Sequence, residues 1–258
     1  MNPSTSAPRG RLLLVPNTLD HGSEPVPIEQ VLPAGVLAAA SALTHWVVED
    51  ARSARAFLKR VGAVAALAAP LQQQHIVELP RPRKGARDET GADAWTALLA
   101  PTRAGRDVGL LSEAGLPAVA DPGAHLVEAA HRESIEVLPL AGPSALLLAL
   151  AASGLNGQSF AFVGYLPAET EGRARRLREL EALARQGRQT QLFIETPYRN
   201  AALAGTALAV LQPSTRLAIA CGLTLPGGWN RCLTVAAWRQ QPPVLPERLP
   251  AVFALLAG

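Results

Sequence analysis

The stretch that decides the fold is residues 110–150, which reads LLSEAGLPAVADPGAHLVEAAHRESIEVLPLAGPSALLLAL. Two short apolar runs, 108–111 and 135–140, each end in a loop rich in Gly and Pro, and an amphipathic segment, 124–132, lies between them. This alternation of strand, helix and strand is typical of a βαβ unit. Because parallel strands end at the same edge of a sheet, we expect both loops where open α/β sheets bind their ligands.

The same alternation extends through the first half of the chain and predicts a five-stranded parallel, doubly wound sheet. The other strands are expected at 11–15, 45–48 and 75–79, with helices at 28–44, 51–60 and 93–99. Beyond the turn at Asn156 and Gly157 the spacing changes. The new spacing predicts a mixed sheet with a hairpin, formed by strands at 160–165, 191–195, 216–220, 232–236 and 252–256, with helices at 171–185 and 200–211, and a further helix at 144–153 precedes the turn.

We therefore predict two α/β domains, residues 11–143 and 144–258, preceded by a flexible tail over 1–10. The chain has 258 residues, 48% of them hydrophobic and 17% charged, which is globular composition. Two cysteines are too few for a disulfide framework, and no apolar segment is long enough for a signal peptide or a membrane span. These features predict a soluble cytoplasmic protein without a membrane partner, and the net charge of +3 permits nucleic acid as a partner.

Several familiar chemistries lack their motifs. The chain has no G-x-G-x-x-G after a strand, no phosphate-binding P-loop and no G-x-S-x-G. Its five histidines and two cysteines show no metal-ligand spacing, so no metal is expected.

Four loops remain as candidates, and each has a structural alternative. In SEAGLPAVADPG, residues 112–123, glycine and proline would present the backbone rigidly to a ligand, or would only stiffen a βα connection. AGPSA, residues 141–145, would do the same, or would cap the helix that follows. VEDAR, residues 48–52, places two carboxylates and an arginine at a strand end, where they would serve chemistry or complement a helix dipole. IETPYR, residues 194–199, gives a second polar strand end.

Basic residues concentrate in two places. One is a loop with Arg81, Arg83, Lys84 and Arg87, and the other is the helix that carries Arg173, Arg175, Arg176 and Arg178. Such clusters suit a phosphate backbone. Glutamates alternate with the arginines of the helix, which favours a solvated, salt-bridged face there, so the loop is the better nucleic-acid candidate.

Taken in order, these loops resemble a known family. VPNTLD, VEDARSARAFL, LLSEAGLPAVADPG, PLAGPSALLLALAASGL, FAFVGYLP and QLFIETPYR together resemble the tetrapyrrole methylase superfamily, and most of all its branch of ribosomal small-subunit RNA 2′-O-ribose methyltransferases that act on a cytidine. The resemblance implies two α/β domains with S-adenosyl-L-methionine in a cleft between them, and a homodimer. It implies these cofactor-binding residues: Ser112, Glu113, Ala114, Gly115, Pro117, Asp121, Pro122, Gly123, Gly142, Pro143, Ser144, Ala145, Thr196 and Tyr198.

The sequence departs from the family pattern on its substrate side. Glu113 replaces an Asp, Leu116 and Ala51 each replace a Thr, and Tyr198 replaces a His. Transfer to a ribose hydroxyl requires a proton acceptor, for which Asp50 and Glu49 are the catalytic candidates. The residues expected to bind substrate are Arg52, Arg81, Arg83, Lys84 and Arg199. The predicted partner is ribosomal RNA, and the alternatives are a tetrapyrrole or other small-molecule acceptor, or a catalytically degenerate member that binds cofactor or RNA.

Overall fold

The computed structural model describes residues 9–20, 26–80, 91–121 and 123–258. Contacts divide the chain into two compact units, Met1–Pro143 (unit 1) and Ser144–Gly258 (unit 2). None of the helices in these described ranges is long and apolar enough to cross a membrane.

Unit 1 is built on a five-stranded sheet in the order β3-β2-β4-β1-β5. Every neighbouring pair is parallel, which confirms the predicted parallel sheet. The strands are β1 (Leu12–Val15), β2 (His45–Val48), β3 (His75–Glu78), β4 (Val108–Leu111) and β5 (Val137–Pro139). Strand β4 is buried along its length and the edge strand β3 is largely exposed, as their places in the sheet require.

Helices cover both faces of this sheet. They are α1 (Ala34–Ala42), α2 (Ala51–Val64), α3 (Ala92–Leu98), α4 (Ala100–Arg103) and α5 (Gly123–Arg132), and short 3₁₀ turns lie at Ile28–Gln30 and Leu71–Gln73. One apolar cluster lies under α1 and α2, and a second lies under α3 and α5. Packing on the α1 face requires a glycine in β4, because a Cβ on Gly109 would lie 2.7 Å from the Trp46 ring.

Two expectations for unit 1 were wrong in detail. The single helix predicted over 28–44 is divided, because Pro33 has extended backbone (ψ 147°) and stands as the N-cap of α1. The tail predicted over 1–10 stops short of residue 9. Gly10 is buried, its N–H donates to the Thr102 carbonyl at 2.8 Å, and a Cβ there would lie 2.0 Å from the Arg106 carbonyl oxygen. Residues 1–8 lie outside the described residues.

Unit 2 contains a mixed sheet in the order β6-β7-β10-β8-β9. Strands β6 (Phe160–Tyr165) and β7 (Thr190–Glu195) are parallel, and the contacts with β8 (Arg216–Cys221), β9 (Trp229–Thr234) and β10 (Ala251–Leu256) are antiparallel. This confirms the mixed sheet and its hairpin. Apolar clusters lie on both faces of the sheet, and the helices are α6 (Ala145–Ser153), α7 (Thr170–Gly187), α8 (Asn200–Val210) and α9 (Val235–Gln240).

The strand predicted over 232–236 was misplaced. Strand β9 begins at Trp229 and ends at Thr234, whose hydroxyl accepts a hydrogen bond from the Ala237 N–H at 3.2 Å and so caps α9. Both cysteines are free. Cys221 lies opposite Trp229 in the hairpin and Cys232 lies opposite Ala218, so the two thiols belong to opposite faces of the sheet.

Candidate functional site

Three loops meet at the carboxyl edge of the unit 1 sheet, after the neighbouring strands β4, β1 and β5. Asn17, buried in the loop after β1, holds two of them together. Its side-chain amide donates to the carbonyls of Ser112 and Glu113, both at 3.1 Å, and its backbone N–H donates to the Gly115 carbonyl at 2.9 Å. The Asn17 amide oxygen accepts the Thr18 N–H at 2.8 Å. One buried amide therefore sets the shape of both loops.

The loop after β5 packs directly on the loop after β1. A Cβ on Gly142 would lie 2.2 Å from the Cβ of Pro16, a distance that no side chain tolerates. A Cβ on Gly115 would lie 3.4 Å from the Pro143 carbonyl oxygen, so the loops after β4 and β5 also approach each other. Gly142 is therefore required at this edge by the close approach of Pro16, and Gly115 by its left-handed backbone (φ 71°).

The loop after β4 contains three residues with left-handed backbone: Gly115 (φ 71°), Ala118 (φ 64°) and Ala120 (φ 67°). This conformation costs each of the two alanines about 1–2 kcal/mol, because the Cβ approaches the following carbonyl oxygen. Asp121 holds the loop in place, since its Oδ1 accepts the N–H groups of Ala118 at 2.9 Å and Gly123 at 2.8 Å. Burial raises the pKa of Asp121, against the effect of these two bonds. Such locally strained and fixed backbone is typical of functional sites.

The acids of VEDAR fix backbone at the same edge. The Glu49 Oε2 atom accepts the Glu113 N–H at 2.7 Å, which ties the loop after β2 to the loop after β4. Asp50 is the N-cap of α2, where its Oδ1 accepts the Ser53 N–H at 2.8 Å. Glu78, at the end of β3, accepts the Ala51 N–H at 2.8 Å. Both candidate catalytic carboxylates therefore have a structural role: Asp50 lies at the helix N-terminus, as the helix-dipole alternative predicted, and Glu49 instead ties two loops together.

A partly buried ion pair between Arg60 and Asp20 also supports the loop after β1. The Arg60 guanidinium on α2 donates to Asp20 at 2.9 Å and to the Thr18 hydroxyl at 3.1 Å with one nitrogen, and to the Val26 carbonyl at 2.9 Å with another. The sequence patterns did not predict the Arg60–Asp20 ion pair or the hydrogen bonds of the Asn17 side chain. Both join residues far apart in the chain, and a single asparagine or arginine carries no pattern of its own.

The polar end of β7 forms a second cluster, in unit 2. Glu195 is buried, and its Oε1 accepts Arg199 Nη2 at 2.7 Å, Arg199 Nε at 3.0 Å and the Thr196 N–H at 2.7 Å. Tyr198 is 69% exposed, and the Arg199 guanidinium lies 5.6 Å from the centre of its ring. Within the described residues, Glu195 Oε2 and Asn200 Oδ1 are buried acceptors without a hydrogen-bond partner.

The structure therefore brings one large group of the predicted residues together within unit 1. The predicted cofactor residues at the carboxyl edge of unit 1 are Ser112, Glu113, Ala114, Gly115, Pro117, Asp121, Gly123, Gly142 and Pro143. Ser144 caps α6, with its hydroxyl 3.5 Å from the Leu147 N–H, and Ala145 is the first residue of that helix. Arg52 is exposed on α2. Pro122, Arg81, Arg83 and Lys84 lie outside the described residues.

Where the side chains are described, no group of three or more His, Cys, Asp and Glu residues is arranged to hold a metal ion.

Two α/β units, one with loops held together at the carboxyl edge of a parallel sheet, define the class as an α/β protein of the kind that binds ligands at that edge. The model of the tetrapyrrole (corrin/porphyrin) methylases matches residues 40–228. The chain therefore belongs to this family, which confirms the family that its loops predicted.

Similar proteins agree with this placement. A protein of Mesorhizobium japonicum named ribosomal RNA small subunit methyltransferase I is 35% identical over 176 residues, which cover 68% of this chain and 53% of that protein. A protein of the same name from Escherichia coli O157:H7 is 39% identical over 127 residues, 49% of this chain and 43% of the relative. The chain thus spans about half the length of these curated relatives.

Solved structures share the fold at low identity. The methyltransferase CobJ is 19% identical with a TM-score of 0.56, and the match covers 96% of this chain and all of that one. Uroporphyrin-III C-methyltransferase from Thermus thermophilus, solved in complex with S-adenosylhomocysteine, is 19% identical with a TM-score of 0.51, covering 96% and 97%. These matches confirm the predicted architecture of two α/β domains.

Proposed function

We propose that the protein is an S-adenosyl-L-methionine-dependent methyltransferase that methylates a ribose 2′-hydroxyl of ribosomal RNA. The observation that carries the proposal is the rigid loop after β4, which combines left-handed backbone at Ala118 and Ala120 with the Asp121 clamp. The family match supports methyl transfer as the reaction, and the names of the curated relatives support ribosomal RNA as the acceptor. A cytoplasmic location and a homodimer belong to the same proposal.

The residues at the carboxyl edge of unit 1 fit the cofactor. Ala120, Ala141 and Gly142 are small and exposed, so the backbone of two loops is accessible to a ligand. We assign cofactor binding to backbone groups of 112–123 and 141–143, and we keep Ser144, Ala145, Thr196 and Tyr198 as predicted contributors. When bound, the cofactor supplies a methyl group on a positively charged sulfur. Fixed loops hold the reactants in line, and such orientation contributes roughly 7–11 kcal/mol to rate enhancement.

Transfer to a hydroxyl also requires that the hydroxyl proton is accepted. Asp50 and Glu49 follow β2 at the same edge as the loop after β4, and each is held by a backbone N–H. Replacing each carboxylate with its isosteric amide separates a catalytic role from a structural one, because Asn also caps helices well. If Asp50 accepts the proton, Asp50→Asn lowers the rate of methyl transfer at least tenfold, which is about 1.4 kcal/mol, and leaves the melting temperature unchanged. Glu49→Gln is the matched variant for the other carboxylate.

Cations would hold the RNA backbone. Arg52 is exposed on α2, beside the two acids, and Arg199 is fixed by Glu195. The predicted basic loop adds Arg81, Arg83 and Lys84. If these residues contact phosphates, replacing the three loop residues with Ala weakens RNA binding and makes it less dependent on salt concentration. Unchanged affinity and salt dependence would remove the basic loop from the substrate site.

Transfer of a radiolabelled methyl group to small ribosomal subunits, free ribosomal RNA and tetrapyrrole precursors tests the proposal. We expect the label in RNA, in a dinucleotide that resists alkali, because a methylated 2′-oxygen cannot attack the adjacent phosphodiester. Label in a tetrapyrrole alone would identify the small-molecule alternative. Retained cofactor binding without transfer to any acceptor would identify a degenerate member.

A further inference from the structure

The two tyrosines of the chain lie at one edge of the unit 2 sheet. Tyr165 is the last residue of β6, and Tyr198 lies in the turn Pro197–Arg199 that follows β7. Strands β6 and β7 are parallel neighbours, with Tyr165 opposite Ile194. Both tyrosines therefore lie at the carboxyl ends of adjacent strands, which are separated by roughly 4.8 Å.

Both rings are unusually exposed. Tyr165 is 56% exposed and Tyr198 is 69% exposed. The hydroxyl of neither ring has a hydrogen-bond partner among the described residues, so neither tyrosine is explained by packing or by a structural bond. Large amphipathic rings that are held at a strand end and left open to solvent are suited to stacking on a planar ligand.

A fixed cation accompanies the rings. Two nitrogens of Arg199 are bound to the buried Glu195 carboxylate, and its guanidinium lies 5.6 Å from the ring centre of Tyr198. This pairing orients both side chains. Helix α7 begins five residues after Tyr165, and it buries one arginine, Arg173, and one glutamate, Glu181, so its surface keeps the net positive charge of its sequence. Arg175 and Arg178 are exposed on α7, with no ion pair in the described structure.

We propose that Tyr165 and Tyr198 form a stacking platform for unpaired nucleobases of the RNA substrate, with Arg199 beside it to contact the phosphate backbone. Two exposed rings and nearby arginines are the combination by which proteins bind single-stranded nucleic acid: bases stack on the rings, and cations follow the phosphates. The platform rests on the proposed RNA substrate and adds to it that the target nucleotides are unpaired. It also gives Tyr198 a substrate role in place of the cofactor role predicted from the resemblance.

The test is the affinity of the full chain for a short fluorescent single-stranded RNA. We expect Tyr165→Ala and Tyr198→Ala each to weaken binding about 5- to 140-fold, the effect of losing one stacked base. Tyr165→Phe and Tyr198→Phe keep the ring and retain the affinity. Phe160→Ala is the matched control, since Phe160 is an aromatic residue, 42% exposed, at the opposite end of β6. It is expected to bind RNA as the parent protein does, and duplex RNA is expected to bind all variants equally.

Several outcomes would overturn the platform. One is RNA affinity that is unchanged in both alanine variants, and another is an equal loss in Phe160→Ala. A weakened affinity of Tyr198→Ala for S-adenosylhomocysteine with unchanged RNA affinity would return Tyr198 to the cofactor site. If the two rings are needed to bind uroporphyrin III and not to bind RNA, the platform would serve a macrocycle instead. Methyl transfer to ribosomal RNA by the parent protein separates the two proposals. If the binding test fails while the parent still methylates RNA, only the platform is wrong. If the parent does not methylate RNA, the proposed function is wrong as well.

Discussion

Asn17 should be the residue on which both the stability and the cofactor affinity of unit 1 depend. Asn17→Ala removes three side-chain hydrogen bonds: the two, each 3.1 Å long, that the amide donates to the Ser112 and Glu113 carbonyls, and the one that its oxygen accepts from the Thr18 N–H. Each bond contributes about 0.5–1.5 kcal/mol net, so the two bonds between the loops alone account for an expected loss of about 2 kcal/mol. For a protein of this size that loss lowers the melting temperature by roughly 4–8 °C.

The same change should weaken cofactor binding, because the ligand must then order a loop that Asn17 no longer holds. If the whole loss appears in binding, the dissociation constant for S-adenosylhomocysteine rises by up to roughly 30-fold. Asn17→Asp is isosteric and keeps the acceptor for the Thr18 N–H, but it turns an oxygen toward two carbonyls, so it should be at least as damaging. Melting curves and titration calorimetry measure the two effects.

Asn156 provides the control for this prediction. Its amide donates to the Arg188 carbonyl at 2.7 Å and accepts from the Gln158 N–H at 3.0 Å. Like Asn17, it therefore holds loop backbone in place through its side chain, but it does so in unit 2, before β6. Asn156→Ala should lower the melting temperature without changing cofactor affinity. The reasoning is refuted if Asn17→Ala melts and binds as the parent does, or if both asparagine variants lose affinity equally.

Three further changes test the packing and charges of the two clusters. Gly142→Ala forces a Cβ into Pro16 and should cost about 1–3 kcal/mol, whereas Gly35→Ala in α1 meets no atom and should stabilise by about 0.5–1 kcal/mol; thermal unfolding distinguishes the two signs. Because burial raises the pKa of Asp121, its contribution to stability is present at acid pH and is lost as pH rises through that raised pKa. The parent should therefore lose stability relative to Asp121→Asn between acid and neutral pH, and a difference that does not vary with pH would contradict this. Arg199→Ala leaves the buried carboxylate of Glu195 without its ion-pair partner and should lower the free energy of unfolding by about 2 kcal/mol. The loss is smaller than for a fully buried pair because the arginine is partly exposed. Adding Glu195→Gln should recover part of that loss, and a further fall in melting temperature would argue against it.

Local patterns were sufficient to predict most of the architecture. The spacing of strands and helices predicted both sheets, and the Gly- and Pro-rich loops after β4 and β5 predicted the candidate edge of unit 1. The errors came where one residue outweighed the pattern: Pro33 divided a helix, and the Thr234 cap turned the end of a predicted strand into α9. Periodicity over a few residues cannot separate a short capped helix from a strand.

The support of the site was beyond the reach of sequence patterns. Asn17 acts on carbonyls more than ninety residues away, and Arg60 reaches Asp20 across forty. Such contacts depend on which strands are neighbours, and in this sheet β1 lies between β4 and β5. The acids of VEDAR could be placed at the strand end from sequence, and a structural role at the N-terminus of the next helix was the alternative left open for them, but the cap formed by Asp50 was not specified.

The central claim, that the protein is built to bind S-adenosyl-L-methionine, is tested most directly by thermal unfolding with saturating S-adenosylhomocysteine. A ligand at about 100 times its dissociation constant stabilises the native state by about 2.7 kcal/mol. For a chain of this length that corresponds to a rise in melting temperature of roughly 5–10 °C. We predict a rise of this size in the parent and a smaller one in Asn17→Ala. No rise in the parent at saturating ligand would contradict the account.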